Sequence, residues 1–184
     1  AFSTAALTNL HLHSDVRYAC RYRGDIHSGD HGYGLMNTDG SIKKPGYAFK
    51  AYAGLFPQWN TVWRPEMYLL TSVGGNLKDR TAMATIDGNR RVINVLISLW
   101  KCGGEGFKLT INNVPQGWTS PKVEHYVVSP NYDYEQITKE TPSSTQPFVY
   151  EYGGQGGDYS LVHLVRLYDS AQFPFAVQVA PAPP

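Results

Sequence analysis

Charge is scarce in this chain. Only 17% of its 184 residues are Asp, Glu, Lys or Arg, and the formal net charge is +1. That balance leaves no electrostatic footprint for nucleic acid or for a membrane surface. The pairs Lys43-Lys44 and Arg90-Arg91 are too short to change it and read as solvated turns. No apolar run approaches the roughly 18 residues of a membrane span, so no span is expected. Cysteine is nearly absent too: Cys20 and Cys102 are either one bridge or two buried thiols, and sequence does not choose. No Asn-x-Ser/Thr triplet occurs, so N-glycosylation is not expected. The chain opens on Ala1 without a methionine or a signal-peptide pattern, which gives it the look of a processed or trimmed product. Low lysine content fits a secreted, extracellular protein.

The compact catalytic motifs are missing as well. Gly153-Gly154-Gln155-Gly156-Gly157 has no Lys-Ser/Thr after it and is not a phosphate-binding loop. There is no Gly-x-Ser-x-Gly, and Ser28, His27 and Asp30 are sequence neighbours that cannot adopt triad geometry. Asp25, His27, Asp30 and His31, with His11 and His13 not far off, are metal-ligand types. They lie on a glycine-containing loop with no separate third His motif, so neither a metal nor another cofactor is expected.

Aromatic and turn residues are abundant. Thirteen Tyr, seven Phe and four Trp accompany 18 Gly and 12 Pro, a composition that suits a β-rich, turn-rich protein. Residues 2–14 start with Ser3-Thr4, suitable N-caps, and predict a short helix. Residues 16–23 alternate, with Val16, Tyr18, Cys20 and Tyr22 on one face and Arg17, Arg21 and Arg23 on the other, as a half-exposed strand would. A helix is predicted over 46–55, where Phe49, Tyr52 and Leu55 recur at helical spacing beside Ala48 and Ala51, and Pro45 sits at the start.

From Glu66 onward the period changes from 3.6 to 2. Strands are predicted at 66–72, 81–87, 91–100, 107–113, 122–128, 147–152, 159–168 and 174–179, with a hairpin turn at Asp87-Gly88-Asn89 and an exposed loop at 137–147. Closely spaced strands without intervening helices imply a mainly β fold, an antiparallel β-sandwich of immunoglobulin-like or jelly-roll-like type. It carries a short N-terminal helix–strand–loop–helix segment. The expected division is 1–60 for that segment and 61–184 for the sandwich.

Tyr22-Arg23-Gly24-Asp25, Gly32-Tyr33-Gly34-Leu35 and the run Asp39-Gly40-Ser41 to Lys44-Pro45-Gly46-Tyr47-Ala48-Phe49-Lys50-Ala51 together resemble the last strand, loop and helix of a clan A glycoside hydrolase barrel. The closest likeness is to family 39-like enzymes, in which a C-terminal β-sandwich follows the barrel. A full (β/α)8 barrel takes about 250 residues, so this chain cannot hold one. Retaining glycosidases need two carboxylates about 5–5.5 Å apart, and the resemblance places both on strands with no counterpart here. No catalytic residue is therefore assigned. Glu66, Glu105, Glu124, Glu135, Glu140 and Glu151 read as solvated or capping carboxylates.

The resemblance implies that Tyr22, Arg23 and Asp25, at the carboxyl end of the last barrel strand, lie beside a sugar subsite, with Tyr33 offering a stacking face. Trp59 and Trp118, in linker or loop contexts, are the further candidates for carbohydrate contact, whereas Trp100 ends an apolar strand and reads as core. The expected function is that of the non-catalytic, carbohydrate-associated sandwich of a glycoside hydrolase-like protein. A glycan or polysaccharide and a barrel on another chain are the expected partners. The alternative is a free-standing lectin-like or protein-interaction module.

Overall fold

The computed structural model describes residues 2–11, 34–55, 67–70, 80–102, 104–154, 156 and 160–171. The strands expected at 16–23 and 174–179 lie outside these residues, as do residues 57–65, Pro-Gln-Trp-Asn-Thr-Val-Trp-Arg-Pro, which read as a linker into the sandwich. The helices are α1 (Phe2–His11) and α2 (Lys44–Ala53). The strands are β1 (Met67–Leu70), β2 (Arg80–Asp87), β3 (Val92–Leu99), β4 (Phe107–Ile111), β5 (Pro121–Val128), β6 (Asp133–Glu140), β7 (Phe148–Tyr152) and β8 (Leu161–Asp169). The protein is a mainly β sandwich with short helices. Six strands form one antiparallel sheet in the order β1-β2-β3-β8-β5-β6, and β4 pairs with β7 as a two-stranded ribbon. The chain crosses to the ribbon after β3 and again after β6, and returns each time.

Alternation decides which face each residue takes. In β3, Ile93, Val95, Ile97 and Leu99 point to the inner face, and Leu161, Val165 and Leu167 of β8 join them in one cluster with Ile111, Phe148 and Tyr150 of the ribbon. The opposite residues, Leu96, Val162, Leu164 and Val128, with Met83 of β2, pack under Ala48, Ala51 and Leu55 of the α2 region. Helices cover one face and the ribbon the other, so β3 and β8 are buried along their whole length.

The apolar spacing of α2 holds, with one refinement. Ala48 and Ala51 are the fully buried positions, and Phe49 and Tyr52 are half-buried. Small side chains let the helix axis approach the sheet closely. A Cβ on Gly54 would come within 2.5 Å of Leu164 Cδ2, so the end of the helix depends on that glycine. α1 lies over the same face. Its Thr4 and Thr8 are buried, and Ser98 Oγ of β3 donates to Thr4 Oγ1 at 2.8 Å.

The sequence reading misses β6. Residues 137–140, expected in a loop, complete an edge strand paired with β5. The run Asp133-Tyr-Glu-Gln-Ile-Thr-Lys-Glu140 is polar on both faces because most of it is exposed, and two register irregularities break its phase. A bulged edge strand of this kind carries no period-2 signal.

The ribbon spans only part of the sheet. It sits over β8 and β5, where Phe107, Tyr150 and Tyr152 meet His125 and His163. Beyond β4, the inner face of β2 and β3 forms the floor of a groove of about 970 Å³.

Candidate functional site

One acid at odds with a solvated surface is Glu124. It occupies the helix-bearing face of β5, is only 2% exposed, and so departs from the solvated role expected of it. The other described acids of that group match the expectation. Glu105, Glu135, Glu140 and Glu151 are exposed, with Glu105 paired to Arg80 and Glu151 to Lys108 at 2.7 Å.

Strand pairing assembles the surroundings of Glu124. β8 lies on one side and brings Arg166 opposite it, and β6 on the other brings Lys139. Tyr168 donates its hydroxyl to Oε1 at 3.1 Å, and Tyr126 donates to Oε2 at 2.9 Å. Lys139 Nζ stands 3.4 Å from Oε1, and Arg166 Nη1 3.8 Å from Oε2. Arg166 Nε in turn donates to Asn94 Oδ1 at 2.9 Å. A buried carboxylate needs this much compensation, because desolvation alone would cost several kcal/mol.

Burial pushes the Tyr126 and Tyr168 phenols far above their ordinary pKa, and the negative charge of Glu124 pushes them further. Both remain hydrogen-bond donors at any physiological pH. The cluster extends toward α2 through stacked rings. Tyr126 and Tyr134 lie 5.1 Å apart and nearly parallel, and Lys50 of α2 stands 5.1 Å from the Tyr134 ring. Chemically this is an anchor rather than an acid catalyst, since the carboxylate is held by two phenols and flanked by two cations.

A second polar chain runs through the inner face. His125 Nδ1 meets Tyr150 Oη at 2.9 Å, and His125 Nε2 meets His163 Nδ1 at 2.9 Å. Tyr150 also reaches Thr138 Oγ1 of the edge strand at 3.2 Å. His163 Nε2 has no hydrogen-bond partner among the described residues and lies amid aromatic rings, with the centroids of Phe107 and Tyr152 each 5.0 Å away. Burial lowers the His125 pKa to about 4. Burial, and then the proximity of His125, lowers that of His163 well below its ordinary value. Both rings are therefore neutral at pH 7.

Of the residues singled out from sequence, Tyr22, Arg23, Asp25, Tyr33 and Trp59 lie outside the described residues, as does Cys20. Trp118 is half-buried against the inner core, and its indole N–H donates to the Arg90 carbonyl at 2.9 Å. It braces the β2–β3 hairpin against the segment that leads into β5. Cys102 is buried, with its sulfur 3.4 Å from the Trp100 carbonyl oxygen. Among the described residues no three His, Cys, Asp or Glu side chains converge as a metal-ligand set, and no helix there is long and apolar enough to cross a membrane.

Glu124 and Arg166 were legible only as interruptions. Each interrupts an apolar or aromatic stretch of its strand, beside Lys122 in β5 and Asp169 in β8, and their register could not be read before the strand order was known.

No protein-family model and no curated protein matches the chain. Solved structures do. A glucosidase from Croceicoccus marinus matches with a TM-score of 0.60 at 15% identity, over 74% of this chain and 33% of that one. The family 30 subfamily 8 xylanase Xyn30A from Clostridium acetobutylicum matches with a TM-score of 0.51 at 16% identity, over 76% and 32%. A family 30 endoxylanase from Clostridium papyrosolvens C71 gives 0.50 at 16% identity, over 72% and 30%. The chain thus spans about a third of the length of these structures, and its fold is one found within glycoside hydrolases.

Proposed function

We propose that this chain is the β-sandwich portion of a glycoside hydrolase-like protein, secreted and associated with a glycan or polysaccharide, and not catalytic by itself. The observation that carries the proposal is the shared fold: three quarters of the chain superposes on a third of a glucosidase or xylanase. Two further features support it. Glu124 is a buried carboxylate pinned by two phenols. The motif resemblance places both catalytic acids on barrel strands that these residues do not supply. In this reading the barrel is a partner, and the finer placement among family 39-like enzymes rests on the Tyr22–Asp25, Gly32–Leu35 and Asp39–Ala51 motifs alone.

Affinity electrophoresis through gels containing xylan or one of a panel of other polysaccharides tests the carbohydrate part, xylan being suggested by the names of two matching enzymes. Retarded migration is expected, relieved in Trp59→Ala and Tyr33→Ala variants whose circular dichroism is unchanged. Unretarded migration in every polysaccharide tried would refute it and leave a protein-interaction module.

A further inference from the structure

His125 and His163 lie between the six-stranded sheet and the ribbon, and their hydrogen bonds limit how many protons the two rings can hold. His125 Nε2 and His163 Nδ1 are 2.9 Å apart, so one proton lies between them. At the ribbon end His125 Nδ1 meets Tyr150 Oη at 2.9 Å, and Tyr150 donates to Thr138 Oγ1 at 3.2 Å. At the other end His163 Nε2 has no hydrogen-bond partner among the described residues.

In the neutral pair each ring carries one N–H. One added proton fits without breaking the shared contact, because one ring then donates with both nitrogens and its neighbour still accepts. A second proton does not fit. His125 Nε2–H and His163 Nδ1–H would then face each other across 2.9 Å, two cationic donors with no acceptor between them.

The side chains packed on the rings offer no charge to offset this. β4 supplies Phe107, β7 supplies Tyr150 and Tyr152, β6 supplies Thr138, and Ile97 of β3 is the register partner of His163. Charged neighbours are engaged elsewhere. Glu124, Lys139 and Arg166 cluster on the helix-bearing face, and Lys108 pairs with Glu151 on the exposed face of the ribbon. Asp169 accepts from the Ser120 amide at the far end of β8, and exposed Glu140 of β6 acts on Tyr150. Two charged imidazoles would therefore need water. β5 and β8 cannot part to admit it, since each is paired on both sides. The ribbon is the layer over the rings, and among the described residues its strands pair only with each other.

We propose that this imidazole pair is an acid-operated latch: uptake of the second proton lifts the β4–β7 ribbon from the sheet while the six strands stay paired. At pH 7 burial keeps both rings neutral and the latch closed. With the ribbon lifted, both rings titrate near the ordinary imidazole value of about 6.5, so opening is linked to proton uptake and is favoured as pH falls. The aromatic face of Phe107, Tyr150 and Tyr152 becomes accessible in acid.

A two-stranded ribbon is marginal in water by itself, so its amides exchange once it lifts. Hydrogen exchange of the β4 and β7 amides, corrected for the intrinsic rate at each pH and compared with β3 and β8, tests the latch between pH 7 and 4.5. In the unaltered chain the ribbon's opening constant is expected to rise by more than tenfold per pH unit at its steepest, because opening takes up more than one proton. The β3 and β8 amides stay protected. In His163→Asn, whose amide can still meet His125 but does not titrate, the rise is at most tenfold per unit. In His125→Phe/His163→Leu it is absent. Equal slopes in all three proteins overturn the proposal, as does a ribbon that exchanges together with the sheet at every pH. Should the variants fail to fold, imidazole nitrogen shifts followed in the unaltered chain decide the matter. Opening must then track protonation of the second ring, and a ribbon that opens while both rings are neutral, or stays closed when both are charged, refutes the latch.

Discussion

Glu124 and Arg166 form a pair whose two members stabilise only together. Replacing Glu124 with Leu leaves the Arg166 guanidinium, 7% exposed, facing a site from which its anion is gone. Breaking such a pair costs about 3–5 kcal/mol. Urea titration should show a loss of that size for Glu124→Leu and a much smaller one for Glu124→Leu combined with Arg166→Met. Equal losses in the single and double variants would mean that the buried charges are not coupled.

His125 and His163 are bases whose folded-state pKa values are depressed. Protons then bind the unfolded chain in preference once pH falls below the ordinary imidazole value of about 6.5. The stability tied to these rings is full above that value and is lost as pH falls toward about 4 for His125. For His125 the loss is on the order of 3 kcal/mol at about 1.4 kcal/mol per pKa unit. Denaturation midpoints measured between pH 7.5 and 4.5 should therefore drop steeply, and a His125→Phe/His163→Leu variant should flatten that drop.

At the scale of elements, the ribbon depends on close approach of backbones. A Cβ on Gly106 would overlap the Tyr152 carbonyl oxygen, an obstacle that cannot rotate aside. Gly106→Ala is expected to destabilise by about 1–3 kcal/mol, measured as a lowered melting temperature, with α1 and α2 undisturbed.

Trp118 acts between elements. Trp118→Phe keeps a ring against the core and removes the donor to the Arg90 carbonyl, at a cost of about 1 kcal/mol. A Phe variant as stable as the parent would show that the brace is packing alone.

The elements also show what the residues announced and what they withheld. β3 and β8 were plain from their dense β-branched and leucine residues, because both are central and covered on both faces. The polar interruptions in β3 had a meaning that alternation could not supply: Asn94 accepts from Arg166 and Ser98 donates to Thr4, contacts set by a strand from the far end of the chain and by a helix at its start. β6 stayed hidden because an exposed, bulged edge strand has no apolar period to reveal it. The pairing of His125 with His163 joins residues 38 apart in sequence, and only the β5–β8 register brings them together.

At the scale of the whole molecule, the sheet is clothed differently on its two faces. Helices bearing Thr4, Thr8, Ala48 and Ala51 lie on one, and the β4–β7 ribbon lies on the other. The two-layer β architecture followed from the strand spacing alone. The resemblance to a glycoside hydrolase came from residues 22–52, and the superposed glucosidase and xylanases share the fold at 15–16% identity. Of the candidate sugar-contact residues only Trp118 falls within the described residues, and it is engaged in bracing a hairpin.

The most direct measurement of the central proposal is turnover by the purified chain alone. It would be incubated with a panel of nitrophenyl glycosides and with xylan and β-glucan, and released chromophore and reducing ends would be counted. Release indistinguishable from buffer is predicted for every substrate, even where the polysaccharide binds. Sustained release that scales with protein concentration and survives repurification would contradict it, because a working acid pair would then have to reside in these 184 residues.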